Sequence, residues 1–127
     1  MDGRRILRYR TFPVYKRLRD FRKGFRKFLN SLPSVEERRL KDQGMRAINS
    51  SCLNVAEGAN KPTDREFAQF VNRSLTSVEE VGSVLDLCLD DSYLRLEQYS
   101  AFNDELKSIV DELLKFERSL RKGNKKL

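Results

Sequence analysis

Histidine is absent from this 127-residue chain. Its absence excludes Ser-His and Cys-His nucleophile pairs, His-ligated zinc and imidazole acid-base chemistry. Tryptophan is missing too, and the two cysteines, Cys52 and Cys88, are far apart and set among apolar neighbours. They read as core thiols in a reducing cytosol, with no cation or metal partner spaced to activate them. No run of about 18 apolar residues exists to span a bilayer. Met1-Asp2-Gly3-Arg4-Arg5 has no apolar segment behind it, so no secretory signal is read and a cytoplasmic protein is expected. Neither G-x-x-x-x-G-K-[ST] nor G-x-G-x-x-G occurs to cradle a nucleotide, and the Glu-x-x-His of di-iron bundles is impossible. No cofactor and no metal are expected, and an enzyme built on carboxylates or lysine has no specific motif behind it.

What the chain does have is helical periodicity. Val14, Leu18, Phe21, Phe25, Phe28 and Leu32 recur at steps of three and four after Pro13, a residue suited to a first helical turn. Ser34 and Glu37 match a capping box, and beyond them Leu40, Met45, Ala47, Ile48, Cys52, Val55 and Ala56 form a thinner stripe of smaller side chains. Small residues permit close approach, which places this second helix centrally. Phe67, Phe70, Val71, Leu75, Val78, Val81, Leu85, Cys88 and Leu89 trace a third helix, broken at Asp90-Asp91-Ser92. In the fourth, Tyr99, Phe102, Leu106, Ile109, Leu113, Phe116 and Leu120 alternate strictly three and four apart, a coiled-coil-like seam.

Between the second and third stripes lies a corner. Gly58 stands where a helix end favours positive φ, Pro62 suits the first turn of the next helix, and Thr63, Asp64 and Glu66 bring acceptors and negative charge to its amides. The pattern predicts an all-α fold, an antiparallel up-down-up-down four-helix bundle. Its helices are expected at about 13–32, 34–57, 62–90 and 95–121, preceded by a mobile basic arm over 1–12 and followed by a fraying basic tail over 122–127. Gly24 costs the first helix about 1 kcal/mol against Ala. Val71, Leu89, Val110 and Leu114 widen the apolar faces beyond one bundle's needs, which predicts a homo-oligomer.

Charge is lopsided. Residues 1–29 hold 11 Lys and Arg against 2 Asp, a net +9, whereas residues 62–94 hold 2 against 7 acids, a net −5. The first helix therefore carries cations with Asp20 as its one acid, and a polyanion would relieve their mutual repulsion. The expected contacts are phosphate contacts from Arg4, Arg5, Arg8, Arg10, Arg17, Arg19, Arg22, Lys23, Arg26 and Lys27 to RNA or DNA, with little sequence preference. Tyr9, Phe12 and Tyr15 interleave with these cations, either to stack on unpaired bases or, the commoner role, to pack at the bundle end. A reading of a different class is a protein-interaction scaffold, in which the basic first helix docks on Asp64, Glu66, Glu79, Glu80, Asp86, Asp90 and Asp91 of a neighbour. Asn54 and Glu57 share one face of the second helix. They form either a polar site or a structural corner bonded to backbone or to Ser74, Thr76 or Glu79, the usual role of buried polar groups.

Asn54-Val55-Ala56-Glu57-Gly58, followed by Glu66-Phe67, Ser74-Leu75 and Glu79, resembles a known family. It is that of the bacterial four-helix bundle proteins often encoded in intervening sequences of large-subunit ribosomal RNA genes, whose corner commonly reads Asn-Ile-Ala-Glu-Gly. Val14-Tyr15-Lys16 is similar to the family's Val-Trp-Lys, and Asp91-Ser92-Tyr93-Leu94 stands where it often has Gly-Tyr-Leu. The likeness covers roughly residues 12–120. It implies an all-α, non-enzymatic bundle assembled as a ring of five subunits. It also brings in a distant class, the basic pentameric accessory proteins of diversity-generating retroelements, which bind a reverse transcriptase and nucleic acid. Cys52 stands where the family often has Pro, so no kink is expected in the second helix, and the first helix is more arginine-rich than is usual in the family.

Overall fold

Phenylalanine rings pack around Phe102 and Phe116, and two buried serines, Ser51 and Ser74, bond across the centre. The computed structural model describes residues 6–33 and 35–125. Four helices carry the fold, α1 (Pro13–Asn30), α2 (Arg38–Gly58), α3 (Asp64–Asp90) and α4 (Leu96–Lys125), with no strand among the described residues. Short 3-10 turns at Arg8–Thr11 and Val35–Glu37 precede α1 and α2.

Their pairings descend along one helix as they ascend along its neighbour. Arg22 meets Asn49 and Arg8 meets Ala59 across α1 and α2. Ser51 meets Ser74 and Ser50 meets Ser77 across α2 and α3. Tyr99 meets Asp86 across α3 and α4, and Arg17 meets Glu112 between α1 and α4. Leu18, Phe25 and Leu29 of α1, Ile48 and Val55 of α2, Phe67, Val71, Val78, Val81 and Leu85 of α3, and Ile109 and Leu113 of α4 form the dry centre.

Several expectations change. Val71 is fully buried and belongs to the core, Leu89 and Val110 are half-buried, and only Leu114 of that quartet is exposed. The apolar excess sits elsewhere, on Val35, Leu53, Leu87 and Leu96. Leu29, not Phe28, is the buried residue that follows Phe25, because the stripe drifts by a step of four. Gly58 does not take positive φ. It lies in the last turn of α2, where a Cβ would stand 2.7 Å from the Phe67 ring and 2.7 Å from Cβ of Phe70. Close approach requires the glycine there, not handedness. Pro62 precedes the α3 N-cap and so falls outside its first turn. Thr63 is that cap, its hydroxyl accepting from the Glu66 amide at 3.1 Å and donating to the Glu66 carboxylate at 3.3 Å.

At the other end of α3 the chain closes as a Schellman turn, the Tyr93 amide donating to Cys88 and the Ser92 amide to Leu89, with Ser92 itself at φ 65. The expected Ser34 partner of a capping box lies outside the described residues. Glu37 instead accepts from the Tyr93 hydroxyl, tying the start of α2 to the α3–α4 link. α4 runs to Lys125, past its seam and into the basic tail, with a Glu117–Arg121 pair at 3.0 Å and half-buried Leu120 ahead of it. Lys126 lies outside the described residues.

Candidate nucleic-acid interface

A helix advances 100° per residue, so α1 distributes its cations around its circumference. Those that flank the apolar stripe find partners. Arg17, toward α4, donates to Glu112 at 2.9 Å, and Arg22, toward α2, donates to the Asn49 side-chain oxygen at 2.6 Å. Lys16, Arg19, Lys23 and Arg26, at steps of three, four and three, share the opposite side with Lys27, and all five are exposed. None of them enters an ion pair among the described residues. Lys16 belongs to this stripe by its spacing, a signal that charge counting overlooked.

Arg8 is held: its Nε donates to the Ala59 carbonyl at 2.6 Å, and its guanidinium lies 5.8 Å from the Phe12 ring and 5.6 Å from that of Phe67. A cation on the C-terminal carbonyl of α2 satisfies an orphan acceptor and meets the negative end of the helix dipole. Phe12 is packing too, its ring 5.3 Å from Phe67 and 5.2 Å from Phe116. Arg10 is exposed, its guanidinium 5.6 Å from the Tyr9 ring. Arg4 and Arg5 lie outside the described residues.

Between α1 and α2 runs a cleft of ≈ 340 Å³, with Tyr15, Arg19 and Lys23 on one rim, Asn49 and Leu53 on the other, and Arg22 and Cys52 between. The Arg19 guanidinium sits 5.8 Å from the Tyr15 ring, and Tyr15 meets Tyr9 edge-on at 4.9 Å. Burial, with the neighbouring Tyr9, pushes the Tyr15 phenol up. Burial also pushes the Cys52 thiol up, against the opposing pull of Arg22 and Arg19, which disfavours the thiolate.

The polar corner does not converge. Asn54 is half-buried toward α3 and donates to the Ser50 carbonyl at 2.8 Å and its hydroxyl at 3.1 Å, while Glu57 is exposed on the outer side. The anticipated partners Ser74, Thr76 and Glu79 are not those of Asn54: Ser74 pairs with Ser51, their hydroxyls 2.8 Å apart, and Thr76 bonds within its own helix. Ser50 in turn receives the Ser77 hydroxyl at 2.9 Å, so Asn54 ends a short polar seam between α2 and α3. Ser50 and Ser51 were missed because serine carries no helical apolar signal.

Residues 10–115, from the end of the arm turn through the first three helices and most of α4, match the 23S rRNA-intervening sequence protein family. The chain belongs to that family. Its corner and α3 residues, on which the resemblance rested, fall within the matched span. No curated protein matches the chain. As a 23S rRNA-intervening sequence protein it is all-helical, and no helix among its described residues is long and apolar enough to cross a membrane.

Proposed function

We propose that this is a non-enzymatic, oligomeric helical-bundle protein that binds nucleic acid through the outward side of α1, with little sequence preference. What supports the reading above all is the row Lys16, Arg19, Lys23, Arg26 and Lys27: five exposed cations on one side of one helix, outside every ion pair of the described residues. Neighbouring like charges at i,i+4 destabilise a helix by about 0.2–0.5 kcal/mol each, and a phosphate backbone would turn that cost into attraction. Arg17, Arg22 and Arg8, already bonded inside the molecule, contribute less. A titration of labelled RNA and DNA at two salt concentrations tests this. Affinity should fall steeply with salt, and the double variant Lys23→Glu with Arg26→Glu should bind at least tenfold more weakly with a shallower slope. Weak binding that ignores salt would sink the reading.

The opposed helix pairings support an up-down-up-down bundle. The family resemblance supports a ring of five, with Leu87 and Leu114 as exposed apolar surface for its contacts. A scaffold assembled by charge is the second reading. It draws support from the layout: α1 and α3 are each flanked by α2 and α4, so the exposed acids Glu79, Glu80, Asp86 and Asp90 lie across the bundle from the cations. Copies joined in that way would come apart in high salt and purify without nucleic acid, which light scattering and the absorbance ratio at 260 and 280 nm would report. Free thiols at Cys52 and Cys88 suit a reducing compartment.

A further inference from the structure

The exposed row on α1 accounts for attraction to any polyanion, and two of its members, Arg19 and Lys23, also line the cleft beside it. Tyr15, Arg19 and Lys23 stand at i, i+4 and i+8, so an aromatic ring and two cations line up along one rim. Facing them, Leu53 keeps 65% of its surface exposed, an apolar platform in otherwise cationic surroundings. Beside Leu53, Arg22 fixes Asn49 through the amide oxygen, which leaves the Asn49 amide hydrogens without a partner among the described residues. A ring, an apolar platform, an amide donor and two or three cations within ≈ 340 Å³ are the complement of one nucleotide taken out of a stack. A flexible single strand can enter such a cleft. A rigid duplex can reach only the outward row.

We infer that the α1–α2 cleft receives an unpaired nucleotide, its phosphate between Arg19 and Lys23 and its base against Tyr15 and Leu53. The inference rests on the nucleic-acid reading and narrows it to single-stranded segments.

The test measures anisotropy of one labelled oligonucleotide, single-stranded or annealed to its complement, against the full chain and two variants. Tyr15→Leu should lose about tenfold in affinity for the single strand, the loss of one base–aromatic stack, with duplex binding and the salt slope unchanged. Tyr15→Trp introduces the sole indole of the chain, at the position where the family commonly carries Trp. Its emission should be quenched by saturating single strand and not by duplex. If Tyr15→Leu does not fold, the Tyr15→Trp readout decides alone. An indole indifferent to bound single strand, or a Tyr15→Leu variant that weakens both forms equally or neither, overturns the cleft assignment while the outward row keeps its role. No salt-dependent binding of either form overturns both.

Discussion

The contact of α2 with α3 and the contact of α1 with the other helices use opposite kinds of surface. Across α2 and α3 two small buried residues meet, Ser51 and Ser74, whose hydroxyls satisfy one another, and Gly58 lets the Phe67 and Phe70 side chains close on α2. Across α1 the meeting residues are rings: Phe102 of α4 lies 5.8 Å from Phe21, 6.1 Å from Phe25 and 5.8 Å from Phe28. Small residues fix a distance, whereas rings fill one. The difference teaches where the chain can change. A central pair in van der Waals contact tolerates no added atom, while the outer side of α1 is open to solvent and free to be cationic.

That comparison can be broken at either end. Phe25→Ala empties the α1 interface and should cost about 3–5 kcal/mol in denaturant unfolding, the largest effect expected of these changes. Gly58→Ala adds one methyl group to the tight corner, against the Phe67 ring and the stiff Cβ of Phe70, and should cost about 2–3 kcal/mol. A loss under half of that would mean the corner yields more readily than its geometry implies.

Alkali tests the far end of α3. Burial, reinforced by Asp91 and Glu37, pushes the Cys88 thiol up to about 11 from its ordinary 9.0. Below the ordinary value both folded and unfolded chains hold the proton. Between the two values only the unfolded chain ionises, so stability falls as pH rises through that window, by an amount on the order of 2 kcal/mol. Cys88→Ala, compared with the parent chain by urea midpoints on either side of the window, should remove this part of the decline.

The remaining changes should stabilise. Gly24 faces open space on the exposed side of α1, and Gly24→Ala should add about 1 kcal/mol. Ser92→Gly should add about 0.5–1 kcal/mol by relieving the left-handed φ of 65 in the Schellman turn, where the family often has glycine. Thermal melts of the two variants check both values.

The four helices were legible because their apolar residues recur at three and four, and the α4 seam in particular needs no tertiary knowledge. Gly58 was legible as important but not for the right reason, since a glycine at a helix end serves handedness and close approach alike until the neighbouring helix is placed. The candidate site was legible as a quantity of charge, not as a surface. Arg17 and Arg22 differ from Arg19 and Lys23 only in which flank they occupy, and that depends on α2 and α4. Arg8 was unreadable, because its partner is a backbone carbonyl 51 residues away.

Phe12 sits against rings from the first turn of α3 and the last third of α4. During synthesis this end of the molecule therefore stays open until nearly the whole chain has emerged, while the α2–α3 contact forms from neighbouring stretches. Throughout that interval Phe12 lacks Phe116, the α1 rings of Phe21, Phe25 and Phe28 lack Phe102, and Arg17 lacks Glu112. The segment made first is the one sealed last.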